Sequence, residues 1–150
     1  MKEKLLISKC IIGENCKYNG LNNYNEKVEL LKKFYELISV CPEVDGGLKT
    51  PRIPSEILND KVINKENEDN TSFFNKGAEI ALKICLEQNI TKALLKQKSP
   101  SCGSKQIYDG TFTNTLINGD GITSKLLRQN NITIYDENDI ETLIELAKNK

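Results

Sequence analysis

The chain has 150 residues, a length that holds one compact domain with its own core, so a single domain over residues 1–150 is expected. Its 21 basic and 21 acidic side chains balance with no block of one sign, which argues against a nucleic-acid polymer or a membrane surface as partner. Histidine is absent, removing the usual general base near pH 7 and the commonest zinc ligand; any chemistry must run on Cys, Asp, Glu, Lys, Tyr, Ser or a cofactor.

The charged N-terminus leads into an apolar run too short for a signal peptide or a membrane span, so a cytoplasmic protein is expected. Leu5 to Ser8 reads as the first strand, followed by a long loop from Cys10 to Gly20 with Gly13 and Gly20 as turn residues. Val28, Leu30, Leu31, Phe34 and Leu37 have helical spacing, with Asn25 as a cap. Leu37 to Val40 then reads as a second strand running into Cys41-Pro42-Glu43 and the turn pair Gly46-Gly47. Asn59 to Asn70 is polar and predicts a surface excursion with a small hairpin.

From Thr71 a helix of about five turns is expected, with Phe74, Ala78, Ala81, Leu82, Cys85 and Leu86 on one face and Asn89 at its end. Ile90 to Leu95 is a third strand, and Thr111 to Ile117 another β-like run. Asp120 is a candidate cap for a helix carrying Ile122, Leu126 and Leu127. Ile132 to Tyr135 is the last core strand, and Ile140, Leu143, Ile144 and Ala147 mark a closing helix. Alternating strands and helices imply an α/β, three-layer, Rossmann-like domain with a mostly parallel sheet and right-handed crossovers, and ligands bind such sheets at the carboxyl ends of the strands.

Cys10, Cys41 and Cys102 each follow a predicted strand on that edge, although they are far apart in sequence. Five cysteines, an odd number without a Cys-x-x-Cys pair, argue for metal binding or catalysis over a disulfide framework. Cys85, on the apolar face of a helix, reads as core. Soft thiolates point to zinc or an iron–sulfur centre. Zinc would need a fourth ligand, Cys16 or a carboxylate, whereas three cysteines suit a four-iron cluster with one iron left open. Glu43, two residues past Cys41, is a candidate general base, with Ser99 and Ser101 beside Cys102.

At these residues the sequence resembles the thiouracil desulfurase family. The matching stretches are Ser8-Lys9-Cys10-Ile11-Ile12-Gly13 with Lys17-Tyr18-Asn19-Gly20, Val40-Cys41-Pro42-Glu43-Val44 with Thr50-Pro51-Arg52, Lys98 to Ser104, Ile107 to Phe112, and Gly119-Asp120-Gly121. The resemblance implies a [4Fe-4S] cluster held by Cys10, Cys41 and Cys102, and removal of sulfur from a small thiolated base such as thiouracil without net redox change. It further implies water activated by Glu43, and a proton relayed by Ser101 or, second choice, Ser99, while the acceptor of the sulfide stays unassigned. Cys16, Lys17, Arg52 and Asp109 are candidate accessory residues; relatives usually carry arginine where Lys17 stands. An open cluster of this kind is expected to be lost on aerobic purification.

Two other readings of the same residues stand beside this one, a non-catalytic metal- or sulfur-binding module and a thiol-redox protein pairing Cys10 with Cys16. The oligomeric state is left open, with a homodimer among the options.

Overall fold

The computed structural model describes residues 2–150. Four parallel strands form the central sheet: β1 (Glu3–Ser8), β2 (Tyr35–Val40), β5 (Lys92–Leu94) and β8 (Thr133–Tyr135), in the order β2-β1-β5-β8. Two antiparallel hairpins stand apart from it, β3 (Ser55–Leu58) with β4 (Lys61–Asn64), and β6 (Gln106–Tyr108) with β7 (Leu116–Asn118).

Alternate residues of the buried strands feed two separate cores, because side chains along a strand point to opposite faces. Leu5, Ile7 and Leu94 pack with Val28 and Leu31 of α1 (Val28–Leu31) and with Ile140, Leu143 and Ile144 of α5 (Ile140–Lys148). Leu6, Ala93 and Leu95 pack with Ala81 and Cys85 of α3 (Thr71–Gln88) and Leu127 of α4 (Ile122–Gln129) on the other face. The result is the expected three-layer α/β arrangement.

Strand order reverses between β1 and β5, since the chain first steps outward to β2 and then returns to the other side of β1. At such a switch point the loops leaving the neighbouring strands diverge and open a crevice. Residues 9–16 after β1, 41–46 after β2 and 96–104 after β5 surround it.

Several local expectations are corrected. The helix expected through Leu37 stops at Leu31, and β2 already begins at Tyr35. Full-length pairing with β1, from Glu3↔Tyr35 to Ser8↔Val40, and the Tyr35 hydroxyl bond to Leu143 O at 2.6 Å outweigh the helical spacing of Phe34 and Leu37. Asn25 accepts from Lys27 N and closes the turn before α1 instead of capping the helix itself. The run 111–117 is not one strand; Thr111 to Thr115 form the turn of the β6–β7 hairpin. Leu86 lies off the apolar face of α3 and is 62% exposed, whereas Asn89, in the left-handed conformation, ends that helix as expected.

Asp120 does not cap α4. It pairs with Arg128, and the free amides at the start of α4 meet the carbonyls of the Pro100–Gly103 loop instead. Gly121 N donates to Gly103 O, Ile122 N to Pro100 O and Thr123 N to Ser101 O, so the loop backbone satisfies the helix end. A side chain at Gly121 would place its Cβ 2.6 Å from the Ser101 carbonyl, which explains the glycine.

Candidate active site

Each thiol loop leaves its strand in a way its sequence dictates. Cys10 begins a tight turn in which Ile11 N donates to Ser8 O and Gly13 N to Cys10 O. Cys41 precedes Pro42, whose fixed φ suits the first position of the short helix α2 (Pro42–Asp45), and Asp45 Oδ2 reaches back to accept from Cys41 N at 3.1 Å. Cys102 lies in a turn closed by Ser99, whose Oγ accepts from both Ser101 N and Cys102 N at 3.1 and 3.0 Å. Ser124 of α4 then donates to Cys102 O at 2.8 Å.

All three thiols line one cavity of about 460 Å³ at the carboxyl ends of the strands. Cys16, Glu43, Arg52, Lys17, Ser99 and Ser101 line it too, so most of the residues singled out from sequence are brought together. Asp109 is not among them; its carboxylate accepts from Thr111 N and Oγ1 and closes a hairpin turn outside the cavity wall. Cys85 is buried inside α3, where desolvation pushes its thiol up to about 11, as fits a core residue.

Cys16 lies within hydrogen-bonding reach of both the Cys10 and the Cys41 sulfur. Its single S–H serves one neighbour at a time; contact with it brings Cys10 down to about 7 and lowers Cys41, while its own ionisation is strongly opposed. Cys102 behaves in the opposite sense. It is 4% exposed, and burial pushes it up to about 12 against the hydrogen bond from Ser8 Oγ at 3.4 Å.

Glu43 is the hub of the polar side. Its Oε1 accepts from Arg52 Nε at 3.1 Å, in an ion pair whose side chains are only 9% (Arg52) and 15% (Glu43) exposed. Arg52 also donates to Cys16 O at 2.9 Å, tying the β1 loop to the helix that follows β2. Oε2 of Glu43 accepts from Ser101 Oγ at 2.8 Å and lies 3.5 Å from Ser99 Oγ. Because the Ser99 oxygen already takes two backbone amides, its remaining role is to donate, and its neighbour at 2.8 Å is Ser101 Oγ. Ser101 Oγ also stands 3.7 Å from Cys102 Sγ. The hydroxyls form a chain from Ser99 through Ser101 to the Glu43 carboxylate, beside the thiols.

Sequence reasoning missed several wall residues. Ser8 links Cys102 to the β5 exit, donating to its sulfur and accepting from Lys96 N at 3.0 Å. Its position as the last residue of β1 was the available signal. Lys96 pairs with Glu137 at 2.6 Å. Glu56 of β3, Tyr108 and Phe112 line the cavity as well; Tyr108 and Phe112 fall in the Ile107 to Phe112 stretch that carries the family resemblance, whereas no local pattern marks Glu56. Gly77, inside α3, lies so close to α2 that a Cβ there would come 1.9 Å from Pro42 O; this contact lets α2 carry Cys41 and Glu43 against the sheet edge.

Among the described residues, no three thiol or carboxyl donors gather tightly enough to hold a single metal ion. The thiolates of a polynuclear centre each bind a different metal atom and stand farther apart. Three thiols spread around one cavity, and not gathered tightly enough for one ion, suit such a centre better than mononuclear zinc.

A protein-family model described as 2-thiouracil desulfurase matches residues 5–139. An uncharacterized protein of Bacillus subtilis (strain 168), YbbK, is 35% identical over 150 residues, covering 93% of this chain and 99% of its own. The solved structure of TudS, a [4Fe-4S]-dependent thiouracil desulfidase, is similar with a TM-score of 0.93 and 38% identity, over 99% of this chain and all of that one. No helix among the described residues is long and apolar enough to cross a membrane.

Proposed function

The chain belongs to the 2-thiouracil desulfurase family, and from that premise we propose that it is a [4Fe-4S]-dependent desulfurase that replaces the sulfur of a small thiolated pyrimidine by oxygen from water. The observation that carries this reading is the Glu43 carboxylate, held between Arg52 and Ser101 on the wall of the cavity that the three strand-end thiols line. Cys10, Cys41 and Cys102 would hold the cluster. When bound, it supplies an open iron that acts as a Lewis acid toward the substrate sulfur.

This chain's own residues handle the water and the protons. Glu43, oriented by Arg52, takes a proton from the water that attacks the thiocarbonyl carbon. Ser101, hydrogen-bonded to Glu43 and 3.7 Å from Cys102 Sγ, stands between that carboxylate and the leaving sulfur and passes the proton on. Ser99 fixes the turn and orients Ser101. The sum is C=S plus water to C=O plus hydrogen sulfide, with no electrons gained or lost.

Anaerobic reconstitution is expected to give about four irons and four labile sulfides per chain, with sulfide released from 2- or 4-thiouracil. Glu43→Gln is expected to keep the iron and lose the release. Failure of the wild type to take up iron would overturn the reading. One alternative has an observation of its own: the Cys16 contact that lowers Cys10 to about 7 also suits a thiol-redox pair. Redox-dependent alkylation of Cys10 and Cys16 in protein that takes up no iron would favour it.

A further inference from the structure

Part of the cavity lining comes from two hairpins outside the main sheet, and one carboxylate joins them. Glu56 of β3 accepts through Oε1 from Gly110 N at 3.0 Å and from Phe112 N at 3.2 Å, fastening the turn of the β6–β7 hairpin to β3. Phe112 lines the cavity with a backbone φ of 57°. A bulky side chain is rarely found in that region, and it stays there only when its surroundings fix it. Here Glu56 holds its amide, while Thr111, Thr113 and Thr115 form a ladder of hydroxyl contacts along the same turn.

Glu56 also lines the cavity, makes no ion pair among the described residues, and makes no hydrogen bond through Oε2. The cavity lining therefore includes an aromatic residue and a carboxylate with one oxygen free of hydrogen bonds among the described residues, together with the thiols and hydroxyls. A flat heterocycle with ring N–H groups matches that pair, because its face needs an apolar surface and its N–H an acceptor.

We propose that Glu56 and Phe112 form the recognition wall for the substrate ring: Phe112 packs against its face, and Glu56, while fixing the loop through Oε1, accepts a ring N–H through Oε2. This rests on the desulfurase reading for the identity of the ring, and it assigns specificity to residues separate from Glu43 and Ser101.

The test is equilibrium dialysis of anaerobically reconstituted protein with 2-thiouracil and its N1-methyl and N3-methyl derivatives. Every protein compared, the one with an unaltered wall (wild type below) included, carries Glu43→Gln so that the ligand is not consumed, and sulfide release is assayed separately on protein with Glu43 intact. For Phe112→Ala the dissociation constant of 2-thiouracil is expected to rise about tenfold, in line with the loss of one base–aromatic contact, and Phe112→Tyr should restore it to within about twofold. Glu56→Gln keeps an oxygen for the two loop amides but exchanges the second acceptor for a donor. Wild type is expected to discriminate against methylation at one ring nitrogen, and Glu56→Gln to lose that discrimination. Unchanged binding in Phe112→Ala, or the same methyl discrimination in wild type and Glu56→Gln, would overturn the proposal, as would a wild type that binds none of the three. Wild-type binding with the expected variant pattern but no sulfide release would support this wall and overturn the desulfurase reading alone.

Discussion

The Ser101 hydroxyl donates to Glu43 Oε2 at 2.8 Å, joining a loop after β5 to a helix after β2. Removing that hydroxyl with Ser101→Ala is expected to slow sulfide release about 100-fold, the low end for loss of a positioned proton carrier, with iron content unchanged. Ser99→Ala should act differently. It strips two amides at Ser101 and Cys102 of their acceptor, so iron content is expected to fall along with activity. Iron assays beside turnover separate the two.

Arg52 is nearly buried and holds both Glu43 and the Cys16 carbonyl. Arg52→Ala leaves the Glu43 carboxylate without its charge partner, and the protein should lose about 3 kcal/mol by denaturant titration. Arg52→Lys returns the charge without the fork that serves both partners, so it should recover only part of the stability and less of the activity.

Single substitutions of the thiols should divide into two classes. Cys10→Ala, Cys41→Ala and Cys102→Ala are each expected to abolish uptake of stoichiometric iron, read from metal analysis and absorbance. Cys16→Ala and Cys85→Ala should retain it. Iron lost from Cys16→Ala as completely as from Cys10→Ala would make Cys16 a ligand.

At Gly77 there is no room for a methyl group, because Pro42 O occupies its place. Gly77→Ala should cost about 2 kcal/mol or more through overpacking, and pushing α2 away should also lower iron uptake at Cys41. A conventional helix glycine would behave the other way, gaining stability on becoming alanine.

Asp136 is fully buried after β8, where it accepts from Gln97 Nε2 at 2.6 Å and Asn138 N at 2.8 Å and pairs with Lys105. Burial raises its carboxyl, but those hydrogen bonds outweigh it and hold the group below its usual value. A depressed carboxyl stabilises the fold above its unfolded value near 3.9 and loses that contribution as pH falls through the lower folded value. Melting curves from pH 7 to pH 2.5 should therefore show an acid-dependent loss that is shallower in Asp136→Asn, which should also be about 2 kcal/mol less stable at pH 7.

Much of the frame was legible in the chain. The alternation of strand-length and helix-length apolar runs gave the parallel sheet, and each of Cys10, Cys41 and Cys102 followed a strand, so their meeting at one edge followed from topology. Helix α3 and its left-handed end at Asn89 were equally plain, because 18 residues of one period leave little ambiguity. Near Tyr35 the same reasoning failed, since spacing over a few residues cannot weigh a helix turn against six residues of pairing with β1. Asp120 failed for a related reason: the acceptors for the amides of α4 came from a loop some 20 residues earlier.

Local chemistry therefore determined what this protein has to work with: thiols, one carboxylate and two hydroxyls at strand ends, in a chain without histidine. Only the tertiary structure decided how they are shared out. It gave Glu43 to Arg52 and Ser101, set Cys16 beside two other thiols, left Asp109 in a turn, and brought Glu56 and Phe112 from two separate hairpins to one cavity. The physical reason is that period and turn chemistry act over a few residues, whereas hydrogen bonds across the cavity depend on where separate loops come to rest.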